Sequence, residues 1–256
     1  MTTTELVLLG VFGLMIGSFL NVCISRLPAG ESVVTPRSHC RSCGTPIRAW
    51  DNLPVVSYLV LGGRCRACRA PISWRYPLVE LGTAVAFVLQ GLAHGDDLLL
   101  LGSRLVLTAL LVALFGTDLE TQRLPNVLTL PGALVGLLFS VWVPPGPLGS
   151  LAGMALGAGL LFFIRWAWFR ATGVEGMGLG DVKMAGLIGA FLGARQVWLV
   201  LMLASIGGAI VGVALTLLRR RALSSRLAFG TFLALAALVA SLYGDAIVAW
   251  YLDLYR

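Results

Sequence analysis

Eight stretches of this chain are too apolar to lie in water as exposed segments. They run over about 4–24, 77–94, 98–116, 127–144, 148–169, 182–193, 196–218 and 228–251. Most approach the ~20 residues an α-helix needs to cross the hydrocarbon of a bilayer. A transmembrane β-barrel would instead show short segments of alternating polarity. Charged residues make up 12% of the chain, about half of what soluble domains carry. The expectation is an all-α polytopic membrane protein with about eight transmembrane helices. The sixth segment is short, and its glycine-rich flanks are expected to let it sit half-unwound. No basic residue precedes the first segment, and no small-x-small cleavage site precedes Arg26-Leu27-Pro28. It therefore reads as a permanent span, not a cleaved signal.

The net charge of +7 would suggest nucleic acid in a soluble protein. Here it reads as a topology signal, with the lipid bilayer as partner and no nucleic acid. With the N-terminus outside, sixteen of the nineteen Lys and Arg residues fall on inner segments, as the positive-inside rule requires. Eight of these lie between Arg26 and Arg75; the others are Arg123, Arg165, Arg170, Lys183, Arg219, Arg220, Arg221 and Arg226. Arg195 and Arg256 fall outside, and Arg104 lies near the outer end of the third span. Both termini are then periplasmic. The one sizeable extramembrane element, about Ser25 to Tyr76, is cytoplasmic. The domain division is 1–24 for the first span, 25–76 for the cytoplasmic domain and 77–256 for the remaining membrane domain.

Four of the five cysteines lie in that cytoplasmic loop. Cys40-Arg-Ser-Cys43 is followed, after 21 intervening residues, by Cys65-Arg-Ala-Cys68. Paired CxxC motifs at such spacing read as a four-thiolate tetrahedral zinc site. The surrounding chain repeats: Cys40-Arg-Ser-Cys43-Gly-Thr-Pro-Ile47 parallels Cys65-Arg-Ala-Cys68-Arg-Ala-Pro-Ile72. Two similar knuckles on one ion explain the repeat. A loop this small cannot build its own core, so a metal staple is expected. Four thiolates leave no open coordination position, which makes the site structural. Disulfides are disfavoured in a reducing compartment. Cys23 reads as a small apolar residue of the first span.

Two aspartates remain. Asp118 closes the apolar run that starts at Leu98, and Asp181 opens the run from Val182 to Leu192, behind Gly178-Leu179-Gly180. Ionisable groups at membrane helix ends are functional candidates by default. Asp181 alone has a plain explanation as an N-cap. Asp118 does not, because a helix C-terminus disfavours carboxylates. The topology puts both on the cytoplasmic face. There, one carboxylate could activate water while the other, protonated, polarises a scissile carbonyl, the pair sharing one proton. Gly178 and Gly180, lacking Cβ atoms, would let a substrate strand approach. Lys183 could bias the charge of Asp181, or simply anchor the span end.

These residues carry a resemblance. Glu175-Gly-Met-Gly178-Leu-Gly180-Asp181-Val-Lys183 is similar to the GxGD element of the type IV prepilin peptidases. Asp118-Leu-Glu-Thr-Gln-Arg-Leu-Pro125-Asn126 resembles that family's first catalytic-aspartate segment, and Gly17-Ser18-Phe19-Leu20-Asn21 through Pro28 its N-terminal motif. The four-cysteine loop and Arg75-Tyr-Pro-Leu-Val-Glu80 match its cytoplasmic domain and the exit from it. Ala228-Phe-Gly-Thr-Phe-Leu233 resembles its Pro-Phe-Gly-Pro-Phe-Leu segment with both prolines replaced, a departure expected to lie away from the aspartates.

The resemblance implies an intramembrane aspartic endopeptidase with Asp118 and Asp181 as the catalytic pair. Its substrates would be prepilins and pseudopilins of type IV pili and type II secretion. Cleavage would follow the Gly of a basic leader, at the cytoplasmic face of the bacterial inner membrane. Many members also methylate the new N-terminus with S-adenosylmethionine. No dinucleotide-type Gly-rich loop is present, so a donor site would have to be built from the cysteine loop and inner span ends. Asn21, Glu80 and Glu175 are its candidates, each with packing or capping as the plainer role. The rival readings are a peptidase without methylation, a transporter with the aspartates on an ion path, and a zinc-knuckle adaptor. No inverted repeat supports the transporter, and the adaptor leaves both aspartates unexplained.

Overall fold

A computed structural model describes residues 1–218 and 228–254. Of the charges used above for topology, Arg219, Arg220, Arg221, Arg226 and Arg256 lie outside the described residues. Among the described residues the chain is all-helical: α1 (Thr3–Arg26), a short α2 (Val56–Val60), α3 (Arg75–His94), α4 (Leu98–Thr121), α5 (Asn126–Phe139), α6 (Gly146–Thr172), α7 (Leu179–Leu217) and α8 (Phe229–Asp253). Six of these (α1, α3, α4, α6, α7 and α8) are long and apolar enough to cross a membrane. Contact density divides the chain into two compact units, Met1–Leu101 and Gly102–Arg256.

In the first unit, α1 opens on a capping box. The Thr2 N–H donates to Glu5 Oε2 at 2.7 Å and the Glu5 N–H to Thr2 Oγ1 at 3.3 Å, satisfying two of the N-terminal donors a helix leaves open. Helices α1 and α3 pack through glycines one turn apart. A Cβ on Gly13 would lie 2.6 Å from Ala84 Cα, and one on Gly17 2.7 Å from Glu80 Cα. Without a water-driven hydrophobic effect inside lipid, such close backbone approach is what joins membrane helices. It also fixes the C-terminal end of α1 beside the start of α3, where Asn21 and Glu80 sit.

The second unit is organised around α7. At 39 residues an unbroken helix would run about 58 Å, nearly twice the hydrocarbon thickness. It breaks at Gly193, which takes φ 76° and ψ 172°. A Cβ on Gly157 of α6 would meet both Ala185 O (2.6 Å) and Val197 Cγ1 (3.2 Å). Twelve residues of straight helix span about 18 Å, so the chain folds back at Gly193 into two helices. The sixth apolar segment is therefore helical from Leu179 onward and not half-unwound. Side chains meet the carbonyls that the break frees: Ser150 Oγ donates to Ala190 O at 2.7 Å and Arg104 Nη1 to Phe191 O at 3.1 Å. Around this hairpin, Leu107, Leu111 and Leu114 of α4 join Leu187, Phe191 and Val200 of α7 and Leu233 of α8 in one buried cluster.

Gly153 seals the hairpin against α6. A Cβ there would fall 2.4 Å from Gly189 O and 2.8 Å from Gly193 Cα, backbone atoms that cannot step aside. Gly153→Ala should therefore lose about 1–3 kcal/mol of stability, read as a lowered unfolding midpoint in detergent. An unchanged midpoint would contradict this close packing.

Candidate functional site

The sequence places Asp118 at a helix C-terminus and Asp181 at an N-terminus. Asp118 lies in the last turn of α4 and is only 4% exposed. A buried carboxylate needs donors, and the start of α8 provides them. The Thr231 N–H donates to Asp118 Oδ2 at 2.9 Å, and the Gly230 N–H also faces the carboxylate. Both belong to the first turn of α8, where N–H groups lack the usual carbonyl four residues back; the Thr231 N–H is shared with Ala228 O at 3.2 Å. The altered segment Ala228-Phe-Gly-Thr is thus in direct contact with Asp118, not away from it. Thr231, standing where the related segment has a proline, contributes an N–H that proline lacks.

Asp181 is not the N-cap of α7. Gly178 holds that position, with φ −73° and ψ 145°, and Asp181 is the third helical residue. Its carboxylate turns back toward the Gly178 N–H, the reciprocal half of a capping box. Leu124 relates the two aspartates in space. A Cβ on Gly180 would meet Leu124 Cβ at 2.9 Å, and one on Gly230 would meet Leu124 Cδ1 at 3.2 Å and Asp118 Oδ2 at 2.8 Å. Asp118 and the Gly180–Asp181 turn therefore lie against one side chain.

The residues around Asp181 are tied down from two directions. Lys183 Nζ donates to Asn126 Oδ1 at 2.8 Å, joining the starts of α7 and α5. Arg165 of α6 holds the loop before Asp181, donating to Met177 O and, at 2.7 Å, to Glu175 Oε1. Glu175 is thus engaged in unit 2, whereas Asn21 and Glu80 lie together in unit 1. The sequence signals Arg165 only as a charge; its grip on the loop depends on the course of α6.

The cysteine loop in unit 1 is two copies of one turn. The Cys40 N–H donates to Thr45 O and the Cys65 N–H to Ala70 O, both at 2.9 Å. Bridges His39–Pro46 and Arg64–Pro71 close the two turns. Each has a left-handed residue after its second cysteine, Gly44 at φ 71° and Arg69 at φ 60°. The four Sγ atoms lie within 4.8 Å of one another, with Cys40 and Cys68 3.8 Å apart. A tetrahedron with zinc–sulfur bonds of about 2.3 Å has edges of roughly 3.8 Å, so the donor set fits such an ion. The Thr45 hydroxyl, 3.2 Å from Cys43 Sγ, and the Thr45 backbone hold the Cys43 thiol down at about 6. That favours the thiolate, the form that binds metal. Cys23 is buried in α1, apart from this cluster.

Residues 11–93 match the bacterial peptidase A24 N-terminal domain, and residues 105–213 match the type IV leader peptidase family. The chain is 42% identical over 269 residues to a prepilin leader peptidase/N-methyltransferase of Aeromonas hydrophila, covering 94% of this chain and 92% of that protein. It is 40% identical to one from Pseudomonas putida, covering 93% and 91%. It is 38% identical to one from Burkholderia pseudomallei strain 1026b, covering 91% and 84%. No solved structure matches it.

Cys43→Ser should lower bound metal from about one ion per chain to near zero and make the loop protease-sensitive. Elemental analysis of purified protein measures the first effect; undiminished metal would rule out a four-thiolate centre.

Proposed function

This chain belongs to the type IV leader peptidase family, and from that premise we propose that it is a membrane-embedded aspartic endopeptidase acting on prepilins and pseudopilins. Asp118 and Asp181 share one proton, as carboxyls in close contact must. One takes a proton from water as the water attacks the scissile carbonyl. The other, protonated, donates a hydrogen bond to the carbonyl oxygen. When the tetrahedral intermediate collapses, the C–N bond breaks and the leaving amine takes the proton that the first carboxyl received from water, which restores the singly protonated pair. The observation that carries this reading is the burial of Asp118 beside Gly230, with Leu124 between it and the Gly180–Asp181 turn.

The placement follows from charge. Sixteen of nineteen basic residues on one side favour a multi-pass protein of the bacterial inner membrane, with both termini periplasmic and the aspartates cytoplasmic. A basic leader would wait on that same side. The eight apolar segments then act as eight crossings, with α5 and the two arms of α7 among them. Residues 1–24 are the first crossing, 25–76 the cytoplasmic zinc domain and 77–256 the peptidase domain. Zinc on Cys40, Cys43, Cys65 and Cys68 is structural. The proposed products belong to type IV pili and type II secretion. Cleavage after the leader glycine is followed by N-methylation of the new terminus from S-adenosylmethionine, as the relatives' names suggest for this chain too.

Cleavage of a model prepilin by detergent extracts tests the dyad. Wild type should release the leader after its glycine. Asp118→Asn and Asp181→Asn should give none, while inserting and binding metal normally. Product mass with and without S-adenosylmethionine reads the added methyl. Equal cleavage by all three proteins would end the aspartic reading. Gly230→Ala, which sets a Cβ 2.8 Å from Asp118 Oδ2, should lower kcat on the order of 10²-fold at unchanged metal content. Wild-type kcat in that variant would detach Asp118 from the chemistry.

A further inference from the structure

Most large exposed apolar side chains lie on the helices long enough to cross a membrane. A second group does not. In the loop between α1 and α3, the short α2 leaves Leu59 71% and Val60 74% exposed, and Val56 and the preceding Leu53 are exposed as well. Ser57 and Tyr58 of the same turn are half-buried. Ser57 Oγ donates to Leu53 O at 2.7 Å, and the Tyr58 ring packs over Gly63, where a Cβ would lie 3.0 Å from its Cζ. A helix bathed in water has the opposite arrangement, apolar side in and polar side out.

The depth of this turn is set by α3. Val55, just before α2, donates its N–H to Glu80 Oε2 at 2.8 Å, which gives a buried carboxylate the donor it needs. Val55 takes φ 60° at that point, a conformation disfavoured for a β-branched residue. Glu80 stands five residues after Arg75, the first residue of α3, or about 7.5 Å along the axis. Side chains lean toward the N-terminus of their helix, so Val55 lies within that stretch. Trp74 and Arg75 mark the level from which it is counted, because such residues anchor span ends at the membrane interface. Interfacial helices bury their apolar face about 5–10 Å into the headgroup and acyl boundary. Leu78 and Leu81, both exposed, already belong to the apolar span.

Charge selects the occupant of this face. Residues 25–76 hold eight arginines against two acidic residues, Glu31 and Asp51. Six of the eight are exposed. One is Arg48, whose guanidinium stands 5.7 Å from the centre of the Trp50 ring. Trp50 is exposed too, and its short turn, Ala49–Asn52, packs against α2. Tryptophan and arginine beside an apolar face suit a surface seated on anionic lipid. The same excess of positive charge opposes a basic leader peptide as the occupant. The face also adjoins α3, whose exposed residues themselves meet lipid.

We propose that residues 53–60 are an interfacial anchor. The apolar face of α2 enters the bilayer that α1 and α3 cross, and the surrounding arginines meet anionic phospholipid headgroups. The loop that carries the four cysteines is then seated on the membrane at a third point, besides its junctions with α1 and α3. Its height above the bilayer is fixed by the Val55–Glu80 hydrogen bond rather than left to the length of the loop. The inference stands on unit 1 alone and is independent of the aspartate pair.

Lipid photo-labelling tests it. The full-length, metal-loaded protein is reconstituted in vesicles of phosphatidylethanolamine and phosphatidylglycerol containing a phospholipid with a diazirine in its acyl chain. After irradiation, adducts are mapped by mass spectrometry. The peptide with residues 53–60 should be labelled to within about threefold of the α3 peptide with Leu78 and Leu81, as a face seated in the acyl boundary requires. Leu59→Ser combined with Val60→Ser should lower the yield on 53–60 at least about fivefold, since two apolar side chains no longer favour insertion. Unchanged α3 adducts and metal content report that this variant has folded. In vesicles of phosphatidylcholine alone the yield on 53–60 should fall at least about twofold. A 53–60 peptide free of adducts while α3 is labelled would overturn the proposal, as would undiminished labelling of the folded double variant. Adducts on 53–60 that vanish when a model prepilin is added would also overturn it, by giving the face to the substrate helix. Equal yields in anionic and neutral vesicles would overturn the headgroup contact.

Discussion

An ionisable carboxyl buried at the end of a membrane-crossing helix has to be met by donors from its own chain, because lipid offers none. Asp118 is met by the first turn of α8, through the Thr231 N–H. Much of unit 2 follows from that contact. Helix α8 has to start where α4 ends. Residue 230 has to lack a Cβ, or its methyl would collide with the carboxylate it faces. Leu124, after the end of α4, has to pack between Gly230 and Gly180, and so it brings the start of α7 alongside. A donor requirement at one carboxyl thus sets the meeting point of three helices.

The far end of unit 2 solves the matching problem for carbonyls. Breaking α7 at Gly193 leaves acceptors without helical partners, and Ser150 and Arg104 fill two of them. A charged guanidinium at the C-terminal end of a helix also suits its dipole. The hairpin that results keeps the first arm of α7 short, with Asp181 in its first turn.

Much of this was legible in the sequence. The apolar segments mark the helices, and their separation at residues 193–196 anticipates the turn at Gly193. The repeated Cys-x-x-Cys-x-x-Pro-Ile pattern anticipates two like turns, and the structure repeats even the left-handed residue, with Arg69 where Gly44 stands. What stayed hidden depends on backbone groups and on contacts between helices. The donor to Asp118 is a main-chain N–H 113 residues away, and a main-chain N–H leaves no mark in residue identity. The same cause made Ala228–Thr231 look peripheral. Asp181 reads as a cap because aspartate favours that role, yet the helix begins three residues earlier, with Gly178 as its cap. Glu175 cannot be separated from Asn21 and Glu80 by composition; only the course of α6, which carries Arg165 to it, decides.

As a catalytic pair, Asp118 at the end of α4 and Asp181 at the start of α7 must come within reach of one another. A chain carrying Asp118→Cys and Asp181→Cys, treated in native membranes with a short thiol-to-thiol crosslinker and mapped by mass spectrometry, tests it directly. A 118–181 crosslink is expected as the main product, in competition with reaction at Cys23 and the four cysteines of the loop. If both new thiols are labelled singly and no such crosslink forms, the two carboxyls do not meet and the dyad is wrong.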